Sequence, residues 1–172
     1  MGNAGAQQWV EVGIAATARW VSAVAGTDAA IRDTRKTTPG LRALEKFAVR
    51  CGGGVNHRMS LSDAALVKDN HVLAAGGVEA AFSAVRAMWP DLDVEVEVDS
   101  LEQLDEVLGA GADLILLDNF TVAQTREAVR ATAGRARLES SGGLSLSVAR
   151  DYAETGVDFL AVGALTHSAP VL

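Results

Sequence analysis

At 172 residues, with 49% hydrophobic residues, 17 glycines and few aromatics, the chain holds one domain's worth of core; its composition excludes a disordered chain or a disulfide scaffold and suits an α/β protein. A single cysteine, Cys51, allows no internal disulfide and points to a reducing cytoplasm. The net charge of −7 argues against general nucleic-acid binding, and no stretch reaches the about 18 to 20 apolar residues that cross a bilayer, so a soluble protein is expected.

Gly2 to Gln8 carries no positive charge, and Glu11 and Arg19 interrupt the apolar residues that follow, so the N-terminus lacks an export signal. Trp9–Val24 reads as an amphipathic helix, with Val10, Ile14, Val21 and Val24 at helical spacing. Short apolar runs then alternate with helical patterns. Strands are expected at Ala29–Arg32, Ala65–Val67, Val94–Val98, Leu114–Leu117, Arg137–Leu138 and Phe159–Val162. Helices are expected at Leu41–Cys51, Val78–Met88, Leu101–Leu108, Thr121–Ala131 and Leu146–Thr155, with Ser100 and Thr121 or Asn119 as N-caps and Gly109 and Gly156 as stops. The division is a helical segment over 1–25 and an α/β barrel domain over 26–172.

Regular strand–helix alternation implies parallel strands with helices outside, which a barrel and a doubly wound sheet both satisfy. Polar residues follow several different strands: Arg35 and Lys36, Lys68, Asp99, Asp118 and Asn119, Ser140 and Ser141, His167. In a (β/α) barrel these positions converge on the mouth, whereas a doubly wound sheet gathers them at one switch point. Glycine-rich turns also follow the last two strands, Ser140–Ser145 and Gly163–His167, where barrel enzymes often hold a phosphate. About six strands are countable, against eight in a full barrel, so the expected fold is an incomplete TIM-like barrel.

Charge is unevenly distributed. Arg32 to Lys68 carries +5, and the remainder carries −12. Such a cluster suits either a solvated helix face or an anion site. The mouth would combine the cations Arg35, Lys36, Arg58 and Lys68, the histidine His57 and the acids Glu97 and Asp118. Cations on one rim suit carboxylates or phosphates, and acids on the other suit sugar hydroxyls, Mg²⁺ or a developing positive charge. Glu95 and Glu97, two apart on a strand, point the same way, and Asp99 would join them if the strand ran on. Structural ion pairs at the barrel ends are the competing reading.

The runs Arg32-Asp33-Thr34-Arg35-Lys36-Thr37-Thr38-Pro39-Gly40-Leu41-Arg42, Gly52-Gly53-Gly54-Val55-Asn56-His57-Arg58, Lys68-Asp69-Asn70-His71 and Glu95-Val96-Glu97-Val98-Asp99 resemble, in order, the motifs of quinolinate phosphoribosyltransferases. So do Leu117-Asp118-Asn119, Glu139-Ser140-Ser141-Gly142-Gly143 and Val162-Gly163-Ala164-Leu165-Thr166-His167-Ser168, and together the matches cover nearly all of Ala30 to Ser168. The resemblance implies condensation of quinolinate with phosphoribosyl pyrophosphate, releasing pyrophosphate and CO2 and yielding nicotinate mononucleotide for NAD synthesis. It implies that Arg35, His57, Arg58 and Lys68 surround the quinolinate carboxylates, and that Lys36 serves the same anionic region and the pyrophosphate. It assigns Glu97 and Asp118 to the ribose hydroxyls and Mg²⁺. Ser140, Gly142 and Gly143, with Gly163 and His167, fall to the 5′-phosphate, and Lys36, Glu97 and Asp118 to catalysis. His71 is read as structural, Cys51 as a small buried residue, and Trp9, Trp20 and Trp89 as packing or interface residues.

The family's pattern also includes an N-terminal domain of about one hundred residues, with a further arginine, packed across the partner's site in a dimer. Met1 to Val12 follows the family poorly, and the chain stops after Pro170-Val171-Leu172. The expectation is a homodimer or higher homo-oligomer with exposed apolar surfaces and an open, impaired site. Competing readings are a related phosphoribosyltransferase for another heterocyclic acid, a phosphosugar isomerase or synthase, and a fragment that folds or associates without turnover.

Overall fold

The computed structural model describes residues 3–168; the expected stop at Pro170-Val171-Leu172 and the first two residues of the 1–25 segment lie outside them. The elements run α1 (Asn3–Ala23), β1 (Ala30–Arg32), α2 (Arg42–Cys51), β2 (Ala65–Val67), α3 (Asp69–Ala75), α4 (Val78–Met88), β3 (Val94–Val98), α5 (Leu101–Gly109) and β4 (Leu114–Asp118). They continue with α6 (Val122–Thr132), β5 (Arg137–Ser141), α7 (Leu146–Ala153), β6 (Phe159–Ala161) and α8 (Ala164–His167).

All strand pairs are parallel, in the order β1-β6-β5-β4-β3-β2. This is the cyclic order of a barrel, 1 to 6, cut once between β1 and β2. A doubly wound sheet would instead place its first strand inside the order. At the cut, Val55 bridges to Arg32 and fills part of the gap without closing the ring. The incomplete barrel expected from the alternation is therefore observed as an open ring of six strands.

The apolar core lies between ring and helices. Ile31, Val67, Val96, Ile115, Leu117, Leu138 and Leu160 are buried there against Phe82, Leu104, Ala128 and Ala149 of the helices. Each fully buried aliphatic side chain of this kind contributes about 1.5–3 kcal/mol. Trp20 and Val24 join the same core, which ties α1 and the turn after it to the barrel. Because side chains alternate along a strand, the residues between these face the ring interior, and several are charged: Arg32, Glu95, Glu97, Asp118 and Glu139.

Ser100 accepts the Gln103 N–H and starts α5; Thr121 and Gln124 form a reciprocal capping box at α6. Gly156 (φ 96°) follows α7 as expected, but at α5 the left-handed residue is Gly111 (φ 86°), and Gly109 is still helical. α3 had no counterpart in the sequence reading. It is short and has no buried residue, so no apolar period announces it. β5 runs three residues past the expected end at Leu138. Its polar run Glu139-Ser140-Ser141 pairs with Leu116, Leu117 and Asp118 of β4, so ladder partners rather than hydrophobicity extend it. Cys51 is exposed, contrary to expectation. Ala48 and Val49 take the inward positions of α2, and Cys51 is turned roughly 200° from Val49 at helical pitch. Trp20 is buried, whereas Trp9 and Trp89 are exposed.

Candidate active site

The carboxyl ends of the strands surround one cavity of about 840 Å³. Arg35, Lys36, His57, Arg58, Lys68, Glu97, Asp118, Gly142, Gly143, Gly163 and His167 all line it. Eleven of the twelve residues singled out by sequence thus meet around a single space, although they come from β3 and β4, from the segments after β1, β2, β5 and β6, and from the crossover between α2 and β2. The exception is Ser140. Alternation turns it toward the helices, where it is fully buried and its Oγ has no partner. Ser141 and Glu139, one position either side, face the cavity instead. Asp99 lies beyond the end of β3, is exposed, and does not line the cavity.

The cationic wall is held from behind by a buried network that the sequence reading passed over. Lys46, 1% exposed, donates from Nζ to Asp33 Oδ1 and, at 2.9 Å, to the His57 carbonyl. Asp33 also accepts the His57 N–H at 2.8 Å and a bond from Asn56 Nδ2. Every partner in this network is satisfied, as a buried charge requires. Burial is the main influence on Lys46, pulling its pKa below the ordinary lysine value against the pull of Asp33. A signal did exist: Lys46 stands three before Val49 on the inward face of α2.

The network fixes the loop from which His57 and Arg58 reach the cavity. Arg58 donates from Nη1 to the Ala64 carbonyl at 2.6 Å, leaving its Nε buried without a partner, and the Arg35 Nε is in the same condition. Burial first, and the Arg35 charge second, lower the Arg58 pKa. Two guanidinium edges that lack acceptors, side by side in one cavity, are suited to an anion. On the opposite wall Lys68 pairs with Glu97, and Asp118 accepts a bond from Asn119 Nδ2 at 2.8 Å. Lys36 is exposed at the rim, where its carbonyl accepts the Thr166 hydroxyl at 2.6 Å.

The glycine turns are shaped by close approach. A Cβ on Gly142 (φ 96°) would stand 2.1 Å from Asn119 Oδ1, and one on Gly163 would stand 2.9 Å from His167 Nε2. The Asn119 N–H donates to the Ser141 carbonyl at 2.9 Å, and Asn119 itself adopts φ 57°. The β4 and β5 loops are thereby locked together at the cavity edge. His71, exposed, accepts the Lys68 N–H at 2.9 Å and caps α3, the structural part expected of it.

At the cavity floor, His57 Nε2 and the carboxylates of Glu95 and Glu139 lie within 4.8 Å of one another. This trio has the ligand types of a cation site, but Arg32 already supplies its positive charge, pairing with both Glu95 (3.4 Å) and Glu139. Glu97 and Asp118, carboxylates that line the cavity mouth, are the donor type that Mg²⁺ takes, an ion that uses one or two carboxylates and completes its shell with water and substrate oxygens.

A family model described as "Quinolinate phosphoribosyl transferase, C-terminal domain" matches residues 14–172. The chain is 65% identical over 159 residues to a nicotinate-nucleotide pyrophosphorylase [carboxylating] of Mycobacterium leprae, covering 91% of this chain and 56% of that one. It is 42% identical over 159 residues to the Homo sapiens protein of the same name, covering 90% and 51%. The crystal structure of NadC from Streptococcus pyogenes superposes with a TM-score of 0.93 at 43% identity, over 98% of this chain and 59% of that one. The chain spans about half the length of the curated relatives it matches. By matched family model, identity and fold together, it belongs to the quinolinate phosphoribosyl transferase C-terminal domain family.

Proposed function

We propose that this cavity transfers a phosphoribosyl group from phosphoribosyl pyrophosphate to quinolinate, with loss of pyrophosphate and CO2, giving nicotinate mononucleotide. The observation that carries this reading is the meeting of Arg35, Arg58, His57 and Lys68 with both glycine turns in one cavity. A phosphosugar alone would leave the cationic wall without a purpose. Arg35, Arg58 and Lys68 would grip the ring carboxylates beside His57, and the unpartnered Nε groups of the arginines would gain acceptors there. Ser141, Gly142, Gly143 and Gly163 would present backbone N–H groups to the 5′-phosphate, with His167 beside them.

As pyrophosphate leaves, C1 of the ribose gains oxocarbenium character, which Glu97 and Asp118 stabilise electrostatically, while Lys36 meets the departing anion. Mg²⁺, when bound by Glu97 and Asp118, supplies further neutralisation of the leaving group. The protein mainly positions and shields, and no side-chain nucleophile enters the scheme. A homo-oligomer in the cytoplasm completes the proposal. Trp9, Leu44 and Phe47, exposed on the mutually packed helices α1 and α2, are large apolar groups that an interface would cover. The lone cysteine calls for no oxidising compartment.

The test pairs calorimetric binding of quinolinate with formation of nicotinate mononucleotide in the presence of phosphoribosyl pyrophosphate and Mg²⁺. Binding that weakens in Arg58→Ala, and product that disappears in Lys36→Ala and Glu97→Ala, are expected. Failure to bind quinolinate, or binding indifferent to Arg58, overturns the reading.

A further inference from the structure

The proposed reaction, on which this inference rests, leaves one requirement unassigned. When the ring carboxylate departs as CO2, its carbon–carbon bond breaks and the electron pair stays on the ring carbon beside the cationic nitrogen. That carbon must receive a proton before CO2 escapes, or the carbon–carbon bond re-forms. We propose that Glu139 delivers it from the cavity floor: its O–H bond breaks, a C–H bond forms, and the carboxylate left behind is balanced by Arg32 until water reprotonates it.

Hydrogen bonding selects one tautomer of His57. Its Nδ1 accepts the Arg58 N–H at 2.8 Å, so the ring proton is on Nε2, which faces Glu95 Oε2 at 2.7 Å. Beside the trio, Arg32 alone faces its two carboxyl groups. Glu95 already accepts at both oxygens, from His57 Nε2 on one and from Arg32 on the other. Glu139, with no exposure, has Oε2 on Arg32 and Oε1 without any partner. A proton on Glu139 removes the excess negative charge and gives that oxygen a hydrogen to donate. Burial first, and the neighbouring Glu95 charge second, raise the Glu139 pKa to about 8, so the acid is loaded at neutral pH.

Other groups around the cavity suit the task less well. Arginines do not release protons in this range, Lys68 is paired with Glu97, and the His57 proton is committed to Glu95. Glu139 lines the cavity within 4.8 Å of the His57 ring nitrogen, on the side where the ring carboxylates would be held.

Single-turnover reactions of the chain with quinolinate, phosphoribosyl pyrophosphate and Mg²⁺ should follow pyrophosphate and CO2 separately. In Glu139→Gln, which keeps size and neutrality but has no acidic proton, CO2 release should slow about tenfold or more relative to pyrophosphate release, with the doubly carboxylated mononucleotide accumulating. Glu139→Asp should restore part of the ratio. Calorimetric affinity for quinolinate in Glu139→Gln should stay within about threefold of wild type, given the preserved shape and neutrality. Equal slowing of both products, or CO2 keeping pace with pyrophosphate, overturns the assignment while the phosphoribosyl-transfer reading stands. No pyrophosphate from the wild-type chain overturns that reading and this inference with it.

Discussion

Two lysine–carboxylate pairs flank the cavity, one behind the His57–Arg58 wall and one on the wall opposite, and they differ in nearly every consequence. Lys46–Asp33 is 1% and 0% exposed, and each partner makes further hydrogen bonds. Lys68–Glu97 is 46% and 16% exposed and opens directly on the cavity. The first is a closed network that does not line the cavity; the second lines it and is a water-exposed pair that a ligand can break and reuse. The same residue types therefore build a scaffold in one place and a site in the other, and the difference is set by burial.

The largest expected effect is on the closed pair. Lys46→Met leaves Asp33 buried and uncompensated, so unfolding free energy should fall by about 3–5 kcal/mol, measured by urea denaturation. A loss below about 1 kcal/mol would show that this pair behaves like an exposed one and would break the comparison. Next comes the cavity floor. An ordinary glutamate titrates near 4.5, whereas folded Glu139 holds its proton to about 8. Below 4.5 the carboxyl is protonated in folded and unfolded chains alike, so it adds no pH dependence. Between 4.5 and about 8 only the unfolded chain has lost the proton, so stability should decline with rising pH by on the order of a few kcal/mol and level off above that window. Glu139→Gln should remove this slope, and an unchanged slope would place the burden on another group.

Gly142→Ala should cost about 1–3 kcal/mol from its positive φ alone, with a further loss as Asn119 is pushed aside. Gly143→Ala, at φ 59° with nothing within 4 Å of the added methyl, should cost only about 1–2 kcal/mol. Thermal denaturation of the two variants separates backbone strain from the β4–β5 loop contact. The smallest stability effect belongs to the open pair. Lys68→Ala should change unfolding free energy by about 1 kcal/mol or less, yet should weaken quinolinate binding measurably by calorimetry. A variant as damaged in folding as Lys46→Met would erase the distinction between the two pairs.

Much of this was legible because each signal was local. Polar residues placed directly after apolar runs marked the mouth, and the caps at Ser100 and Thr121 followed from their own neighbours. The main miss depends on a distant partner. Ser140 was chosen from a turn motif, but the continuation of β5 against β4 decides that Ser140 faces the helices and that Glu139 and Ser141 face the cavity. A strand read as ending at Leu138 has no register for the residues beyond it, so its facing alternation could not be applied. Cys51 was read as buried from its residue type, whereas its angle on α2 leaves it in solvent.

By itself the sequence determined the parallel α/β class, the six strands, the cationic and acidic sets and the two glycine turns. Each of these is written in spacing and composition within a few residues. Only the tertiary structure decided that the ring is open between β1 and β2, that Lys46 is part of the scaffold while Lys68 is part of the site, and that Glu139 has an oxygen without a partner. Those outcomes depend on desolvation and charge summed over groups up to 107 positions apart, Arg32 and Glu139 among them. Such a sum exists only once the strands have brought the groups together.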